Sequence, residues 1–462
     1  MEPARQRPKP PVLDSHRAEP VRGPCPLIAP DPRWPPLPHL VPAADHAEDV
    51  TLPLTPDEQL WRGRLLELAL ILKGEVDVPS LTSSLARALT FYPPAAGRFV
   101  LLPVDNGIRG VHGNEISLLC NNAGASFSAS ATTERAPYFA GPLHERFFDS
   151  AVGTEPDPKK FKRKDEPIVG GPLMCARVTQ FSDATVLAVS FVFGLTDVVG
   201  MGLFLQTWAR LHRGETPGET PTMGRAELDG QTFHCENPPL GGFEFAALHR
   251  TGPTAAQGGA GMRQPSRFNG EVVACRVFLP EDLEELLAEV TERMRKRRII
   301  YTTDTISAAD LAFSMTVEAL GGSVAASMLV DYRAALDIPH HFGVASALVD
   351  LELDQGSDVA GWIKMQTKTC LGPKSRNFWV WKLTRNRCSV EPDLIVSSWV
   401  EGLPLDKLSF AVVEDSVRVM SGSSFWREEQ KRGCFAIMLP HASGGIEVQA
   451  MLPRASLSKL MG

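Results

Sequence analysis

Long apolar runs are missing from this chain of 462 residues. No stretch approaches the roughly 20 consecutive apolar residues that a helix needs to cross a bilayer. The first residues also lack the apolar run that directs a protein to secretion. These two absences predict a protein that has no membrane partner and is located in the cytoplasm.

Paired cysteines and an excess of positive charge are missing as well. The eight cysteines form no Cys-x-x-Cys pair and are too sparse for a small disulfide-linked scaffold, so we expect them to be reduced. Cys175 stands in an apolar run, which predicts an inert thiol on a core strand. The formal net charge is -7, and because phosphate binding depends on clustered Lys and Arg, we predict no nucleic-acid partner.

Changes in composition divide the chain. Residues 1–45 are rich in Pro and Arg without a sustained apolar period, which predicts a disordered tail. Residues 216–262 are rich in Gly and Pro, and because a loop of this length is uncommon inside a domain, we interpret them as a crossover. The length and the 43% hydrophobic content favour two domains, residues 46–215 and 263–462.

Apolar spacing predicts two helices. Leu81, Leu85 and Leu89 recur at helical intervals in a segment that begins near residues 79–80. This helix ends at the Tyr-Pro-Pro of residues 92–94, because proline lacks the amide hydrogen that a helix needs. A second, amphipathic helix around residues 281–298 ends in a basic turn, which suits the helix dipole.

A series of short motifs is more informative than either helix. Residues 184–192 form an apolar run typical of a buried strand, Asp197 follows in a turn, and residues 198–212 contain Phe-Leu-x-x-Trp-Ala. The other motifs are Tyr-Pro-Pro-Ala-Ala-Gly-Arg at 92–98, Ser-x-x-Asp at 307–310, Val-Asp-Tyr-Arg at 330–333 and Phe-Gly-x-Ala at 342–345. Their fixed order makes chance a poor explanation for the set.

In this order the motifs resemble the BAHD acyltransferases, whose central motif is His-x-x-x-Asp-Gly followed by a helix with Phe-Leu-x-x-Trp-Ala. The resemblance spans roughly residues 50–455. It implies an α/β fold of two similar domains, each with a mixed β-sheet and packed helices, as in chloramphenicol acetyltransferase. A long crossover would join the two domains.

The chain departs from the family at the positions that carry the chemistry. Phe193 occupies the place of the histidine, which is the general base of the family, and a phenyl ring cannot accept a proton. Val198 replaces the motif glycine, and the second family motif, Asp-Phe-Gly-Trp-Gly, retains only Phe410. The resemblance implies structural roles for Phe410 and for Asp197, which would form a partly buried ion pair with Arg333 and hold the loop after residue 193.

The resemblance implies transfer of an acyl group from acyl-CoA, a cosubstrate, to a small-molecule alcohol or amine acceptor. It also implies a monomer with no metal and no permanently bound cofactor. A general base contributes about 10² to 10⁴-fold in rate while positioning alone contributes about 7 to 11 kcal/mol, so the missing histidine predicts an impaired or remodelled enzyme. The alternative is a noncatalytic descendant that binds a ligand or a protein through the same fold.

Two further groups of residues are candidates for the site. His340 and His341 are candidate replacement bases, because their segment runs close to the central channel in the family; the alternative is a solvated or packing role. Arg295, Arg297 and Arg298 end the second helix close to where relatives hold the CoA phosphates. They are therefore candidate cofactor-binding residues, and the alternative is stabilisation of the helix end.

Overall fold

The computed structural model describes residues 38–46, 48–55, 58, 64–105, 112–137, 143, 147–148, 168–224, 273–296, 306–321, 324–353, 359–360, 363, 393–410, 418–422 and 434–461. Most of the predicted tail and most of the predicted crossover lie outside these residues. Arg297 and Arg298 lie outside them too.

Strands are spread along the whole described chain. In order they are β1 (His39–Val41), β2 (Val50–Pro53), β3 (Leu65–Lys73), β4 (Arg98–Asp105), β5 (His112–Cys120), β6 (Ala125–Ala131), β7 (Ile168–Pro172), β8 (Met174–Gln180), β9 (Ala184–Val192), β10 (Val273–Phe278), β11 (Val324–Asp331), β12 (Ser346–Leu353), β13 (Leu394–Ser398), β14 (Arg418–Ser421), β15 (Cys434–Pro440) and β16 (Ile446–Met451).

Helices interrupt this series of strands at several places. They are α1 (Val78–Phe91), α2 (Val198–His212), α3 (Pro280–Lys296), α4 (Ala308–Leu320), α5 (Arg333–Leu336) and α6 (Arg454–Met461), with 3₁₀ helices at Pro93–Ala96 and Leu405–Lys407. Among the described residues, none of these helices combines the length and the apolar character that a membrane span requires.

The strands form three sheets. An N-terminal sheet has the order β1-β6-β8-β9-β3-β14, a C-terminal sheet has the order β10-β16-β15-β13-β11-β12, and a smaller sheet has the order β2-β5-β4-β7. Both six-stranded sheets are mixed, because β6 and β8 are parallel in the first and β13 is parallel to both β11 and β15 in the second. The predicted α/β class with mixed sheets is confirmed.

Two strands lie where the sequence did not place them. β14 comes from the C-terminal half but pairs with β3 in the N-terminal sheet, so the C-terminal half contributes a strand to the N-terminal sheet. β1 falls within the segment 1–45 that was predicted to be disordered, and it pairs with the edge of β6. Periodicity could not reveal either strand, because both are short and their partners are distant in sequence.

Local signals set the ends of α1. Asp77 caps its start, accepting a hydrogen bond from the amide of Ser80 at 3.0 Å, so the helix begins at Val78, slightly before the predicted position. Its end at Phe91 agrees with the prediction from the Tyr-Pro-Pro sequence. In α4 a capping box of Ser307 and Asp310 accounts for the Ser-x-x-Asp motif.

The two halves share one large hydrophobic core. Trp399, Leu403, Leu408 and Phe410, all from the C-terminal half, are buried in the same cluster as the apolar faces of α1, α2 and the N-terminal sheet. A second cluster lies between the other face of the C-terminal sheet and helices α3, α4 and α6. The halves are therefore held together by a continuous apolar interface.

Candidate active site

The turn between β9 and α2 contains the central motif. All nine residues of β9 are buried, and the strand ends at Val192. The amide of Phe193 then donates to the carbonyl of Arg64 at 2.8 Å, and the amide of Leu195 donates to the carbonyl of Val192 at 2.9 Å. These bonds bring the chain round into the first turn of α2, which begins directly after Asp197.

Asp197 closes this turn as the N-cap of α2. Its side chain is 1% exposed and accepts a hydrogen bond from the amide of Gly200 at 3.0 Å. A methyl group on Gly200 would collide with the hydroxyl of Thr196, so the absence of a side chain at 200 allows the tight turn. The helix start fixes the direction of the carboxylate.

The Asp197 carboxylate meets Arg333 from the other half of the chain. The two guanidinium nitrogens Nη2 and Nη1 donate to Oδ1 and Oδ2 at 2.8 and 3.0 Å, which is the bidentate geometry of a strong ion pair. The amide of Ala345 donates to Oδ2 at 2.8 Å. With the bond from Gly200, the carboxylate accepts four hydrogen bonds, which occupy all of its acceptor positions.

Arg333 is equally well satisfied and is 2% exposed. Besides its two bonds to Asp197, it donates from Nε to the carbonyl of His341 at 3.0 Å and from Nη2 to the carbonyl of Gly343 at 2.8 Å. Nη1 also donates to Asp331 at 2.8 Å. All five N–H groups therefore have partners. The predicted ion pair exists and is fully buried; we call Asp197, Arg333 and their partners the anchor.

Asp197 and Arg333 form a charged pair. Burial disfavours the Asp197 carboxylate, but the charge and hydrogen bonds of Arg333 outweigh it and hold the pKa of Asp197 below its usual range. Burial likewise disfavours the guanidinium, yet Asp197 and Asp331 raise the pKa of Arg333. A carboxylate with a lowered pKa and no free acceptor position cannot serve as a general base, which leaves Asp197 a structural residue.

Phe193, at the other end of the turn, is part of the core. It is 2% exposed and belongs to the same apolar cluster as Leu195, Phe342 and Val344. Phe342 also packs edge-on against Tyr92 of the Tyr-Pro-Pro segment, with ring centroids 4.9 Å apart. The position that holds the base in the family is therefore filled by an apolar side chain among apolar neighbours.

The two candidate replacement bases have different surroundings. His340 is 37% exposed on its side chain and forms an ion pair with Glu219. His341 is fully buried, and its ring lies with the carboxylate of Glu58 in the space that a side chain at Gly343 would occupy. The structure thus places one histidine at the surface and one inside, beside the anchor.

The candidate CoA-binding residue that the structure describes is engaged within its own helix. Arg295 donates two hydrogen bonds to Glu292, at 2.8 and 2.9 Å, and its side chain is 76% exposed. Hydrogen bonding to the Glu292 carboxylate is the largest cause of a raised pKa for Arg295. Arg295 is therefore charged and accessible at the basic end of α3.

Phe410 packs against α2. Its ring meets that of Trp208 edge-on at 5.2 Å, and Trp208 in turn donates from Nε1 to the carbonyl of Leu81 and to the hydroxyl of Ser84. The ring of His212 lies 6.1 Å from Phe410. This packing joins α1, α2 and the segment that follows β13.

Sequence reasoning missed the backbone contribution to the site. Gly343 and Ala345 belong to a recognised motif, but their bonds to Arg333 and Asp197 could not be read from it. The approach of α2 to Gly402 was missed as well: a methyl group on Gly202 would collide with the carbonyl oxygen of Gly402. The available signal was the glycine at both positions, because glycine permits two backbones to approach closely.

The segment that contains this turn matches a known protein family. Residues 70–257 match the Transferase family, and this range includes β9, the turn and α2. The resemblance to the BAHD acyltransferases is confirmed. No curated protein sequence gives a significant match to the chain.

Solved BAHD and related structures share the fold. Vinorine synthase is 16% identical with a TM-score of 0.57, over 92% of this chain and 95% of that protein. TRI101 of F. graminearum, complexed with coenzyme A and deoxynivalenol, is 14% identical with a TM-score of 0.58, over 89% and 97%. A condensation domain of the CDA synthetase is 13% identical with a TM-score of 0.52, over 89% and 96%. At these identities the likeness shows the fold.

Proposed function

We propose that this protein is a BAHD-like acyltransferase that moves an acyl group from acyl-CoA to an alcohol or amine acceptor, with a reaction centre remodelled at Phe193. One observation carries the proposal: the family match covers the β9–α2 turn, and the anchor that shapes this turn is complete. Structurally similar TRI101 is complexed with coenzyme A and deoxynivalenol, which supports CoA as the cosubstrate.

The proposed reaction needs a group that accepts a proton. The oxygen or nitrogen of the acceptor bonds to the thioester carbonyl carbon, the carbon–sulfur bond breaks, and the departing thiolate takes up the acceptor's proton. Phe193 supplies no base, and Asp197 has no free acceptor position. Positioning of the two substrates therefore carries most of the rate, and we expect turnover about 10² to 10⁴-fold below that of an enzyme with a base.

The burial of Phe193 favours a second candidate function. A ring that is 2% exposed among apolar neighbours stabilises the core at the position where chemistry would occur. A noncatalytic protein that binds a ligand or a protein through this fold would have the same arrangement. Its expected signature is the absence of acyl transfer by the wild-type protein, with or without binding of CoA.

The decisive experiment restores the base. We expect Phe193→His to raise the rate of transfer from a panel of acyl-CoA donors to small alcohols and amines. The restored rate should increase with pH through the region of the imidazole pKa, because the neutral ring is the base. Calorimetric titration of both proteins with CoA measures the cosubstrate site independently of turnover.

Phe193→Met is the matched control, since it removes the same ring without supplying a base. Equal rates in the two variants would show that space, not proton transfer, limits the reaction. Fast wild-type turnover that Phe193→His leaves unchanged would point to another base, with His340→Gln and His341→Gln the next variants to assay. Failure to bind CoA would overturn the acyltransferase proposal and leave the noncatalytic one.

Arg295 is proposed to contribute to the CoA site, together with Arg297 and Arg298. Arg295 is charged and accessible, which supports contact with a phosphate group. Arg295→Gln should weaken CoA binding in the calorimetric titration, while Arg135→Gln, an equally exposed arginine elsewhere, should not. Equal affinities for both variants would remove Arg295 from the site.

We further propose that the reaction channel lies between residues 46–215 and 263–462, and that the protein acts as a cytoplasmic monomer. The shared core between the halves supports this arrangement, as does the absence of a disulfide at the described Cys120, Cys175, Cys275 and Cys434. Light scattering of the purified protein measures its mass in solution, and a dimeric mass would contradict the monomer.

A further inference from the structure

We propose that a cavity beside β2 is a second binding site, for a small apolar molecule that carries a positively charged amine. The cavity has a volume of about 510 Å³. This lies within the roughly 300 to 1,000 Å³ typical of small-molecule sites. None of the described lining residues belongs to the Phe193–Asp197 turn or to the anchor, so the proposal does not rest on the acyltransferase activity.

The wall of the cavity is mainly apolar. β2 contributes to one side, and the end of α1 and the Pro93–Ala96 helix form another. The apolar side chains that argue for a hydrophobic ligand are Leu52, Leu89, Pro93, Pro94, Ala96 and Met223. A flat or compact apolar body would exclude water from this surface, which is the main source of affinity in such a site.

The chain that borders the cavity is held in place before any ligand arrives. The side-chain amide of Asn122 makes two hydrogen bonds to Ala43. Its oxygen accepts from the backbone nitrogen of Ala43 at 2.6 Å, and its nitrogen donates to the carbonyl of Ala43 at 3.3 Å. The backbone nitrogen of Asp45 donates to the hydroxyl of Thr90 at 3.2 Å, and that of Ala44 to the carbonyl of Ala86 at 2.9 Å. A preformed wall lowers the entropy lost on binding.

The same hydrogen bonds decide which polar groups remain for a ligand. The amide of Asn122 and the hydroxyl of Thr90 are used within the wall, and His46 pairs with Asp49 at 2.9 Å. Asp45 and Glu48 also line the cavity, and neither forms an ion pair with any other described residue.

Two carboxylates at the edge of an apolar cavity favour a cation and disfavour an anion. The apolar wall and the two carboxylates together define the class of ligand. A fatty acid or an acyl-CoA would bring negative charge towards Asp45 and Glu48, whereas an amine would be attracted by them. Because both carboxylates are exposed, we expect the attraction to weaken as salt is added.

A matched pair of probes separates charge from shape. Gramine and indole-3-acetate have the same indole body, but gramine carries a tertiary ammonium and indole-3-acetate a carboxylate. The titration contains no acyl-CoA donor, so binding of gramine cannot be confused with turnover. Calorimetry on the full chain should show gramine binding more tightly than indole-3-acetate, with an affinity that falls in added salt.

Two variants locate the site. Val50 is 48% exposed on β2 at the cavity, and Val50→Trp should fill it and abolish gramine binding. Val169→Trp is the control, because Val169 is 50% exposed on β7 at the opposite edge of the same sheet. It should bind gramine as the wild type does. Thermal melting of both variants establishes that they are folded.

A second set of variants tests the charge. Asp45→Asn with Glu48→Gln should weaken gramine binding by about fivefold or more, the effect expected for two exposed ion pairs. Glu75→Gln, which removes an exposed carboxylate elsewhere, should leave it unchanged. The proposal is overturned if wild-type protein does not bind gramine, if indole-3-acetate binds as tightly, or if Val50→Trp retains the affinity.

Discussion

The two ends of the β9–α2 turn have opposite chemistry. Asp197 is buried with its charge intact, because Arg333 and two backbone amides occupy all of its acceptor positions. Phe193 is buried because it is apolar and packs with apolar neighbours. In the resembled family one motif serves both the shape of the turn and the transfer of a proton. In this chain the residues that shape the turn are present, and the residue that would transfer a proton is replaced by Phe193.

Asp197→Ala should have the largest effect on stability. Removing one partner of a buried ion pair costs about 3 to 5 kcal/mol, and the buried charge of Arg333 would be left with only the partly exposed Asp331 and two carbonyl groups as partners. Urea unfolding measures the loss. Glu215→Ala is the control, since Glu215 pairs with Arg213 at the surface and its removal should change stability little. Equal losses in the two variants would contradict a special role for the anchor.

Gly202→Ala tests whether packing also fixes the start of α2. The new methyl group would meet the backbone carbonyl of Gly402, which cannot rotate away, so we expect a loss of about 1 to 3 kcal/mol despite the better helix propensity of alanine. Gly200→Ala meets a rotatable hydroxyl on Thr196 and should cost less. Thermal unfolding measures both losses. A larger loss for Gly200→Ala than for Gly202→Ala would show that the anchor alone positions α2.

Much of this comparison could be anticipated from sequence. The resemblance to the BAHD acyltransferases implied the Asp197–Arg333 pair, and proline placement predicted the end of α1 at Phe91. The degree of burial and the bonds from Gly343 and Ala345 could not be predicted, because they depend on how a distant segment folds back. The pairing of β14 with β3 was missed for the same reason: short strands carry too few residues to show a period.

Phe193→Met should show that the apolar end of the turn tolerates substitution. Methionine is apolar and flexible enough to fill the space of the ring, so we expect a loss of at most about 1.5 kcal/mol. Urea unfolding of Phe193→Met and Asp197→Ala in parallel compares the contributions of the two ends of the turn to stability. A loss as large as that of Asp197→Ala would mean that the ring of Phe193, and not the anchor, holds the turn.

The smallest predicted effect concerns pH and the far end of α2. Burial lowers the pKa of His212, so the unfolded chain takes up a proton at this residue before the folded protein does. The contribution of His212 to the free energy of unfolding is fully present above about pH 6.5, the pKa of histidine in the unfolded chain. It is lost as the pH falls from there through the lowered pKa of His212 in the folded protein. His212→Gln should flatten this decline in unfolding experiments across mild acid. An unchanged slope would exclude His212 as its source.

The anchor should respond in a different range of pH. Because the pKa of Asp197 is lowered in the folded protein, its contribution is present above the ordinary aspartate pKa of about 3.9 and is lost only in stronger acid. Wild-type protein and Asp197→Asn should therefore differ in stability by a constant amount near neutral pH and converge in strong acid. A difference that shrinks already in mild acid would contradict the lowered pKa.

The strand β14, which the C-terminal half contributes to the N-terminal sheet, has a consequence for synthesis. Residues Arg418–Ser421 cover the edge of β3 by pairing with Leu68–Ile71, so nearly the whole chain must leave the ribosome before that edge is closed. Until then the nascent chain presents an open, mostly apolar strand, Leu65–Lys73, of the kind that pairs with other chains. Premature termination before residue 418 would leave this edge open permanently, which makes aggregation the expected fate of truncated products.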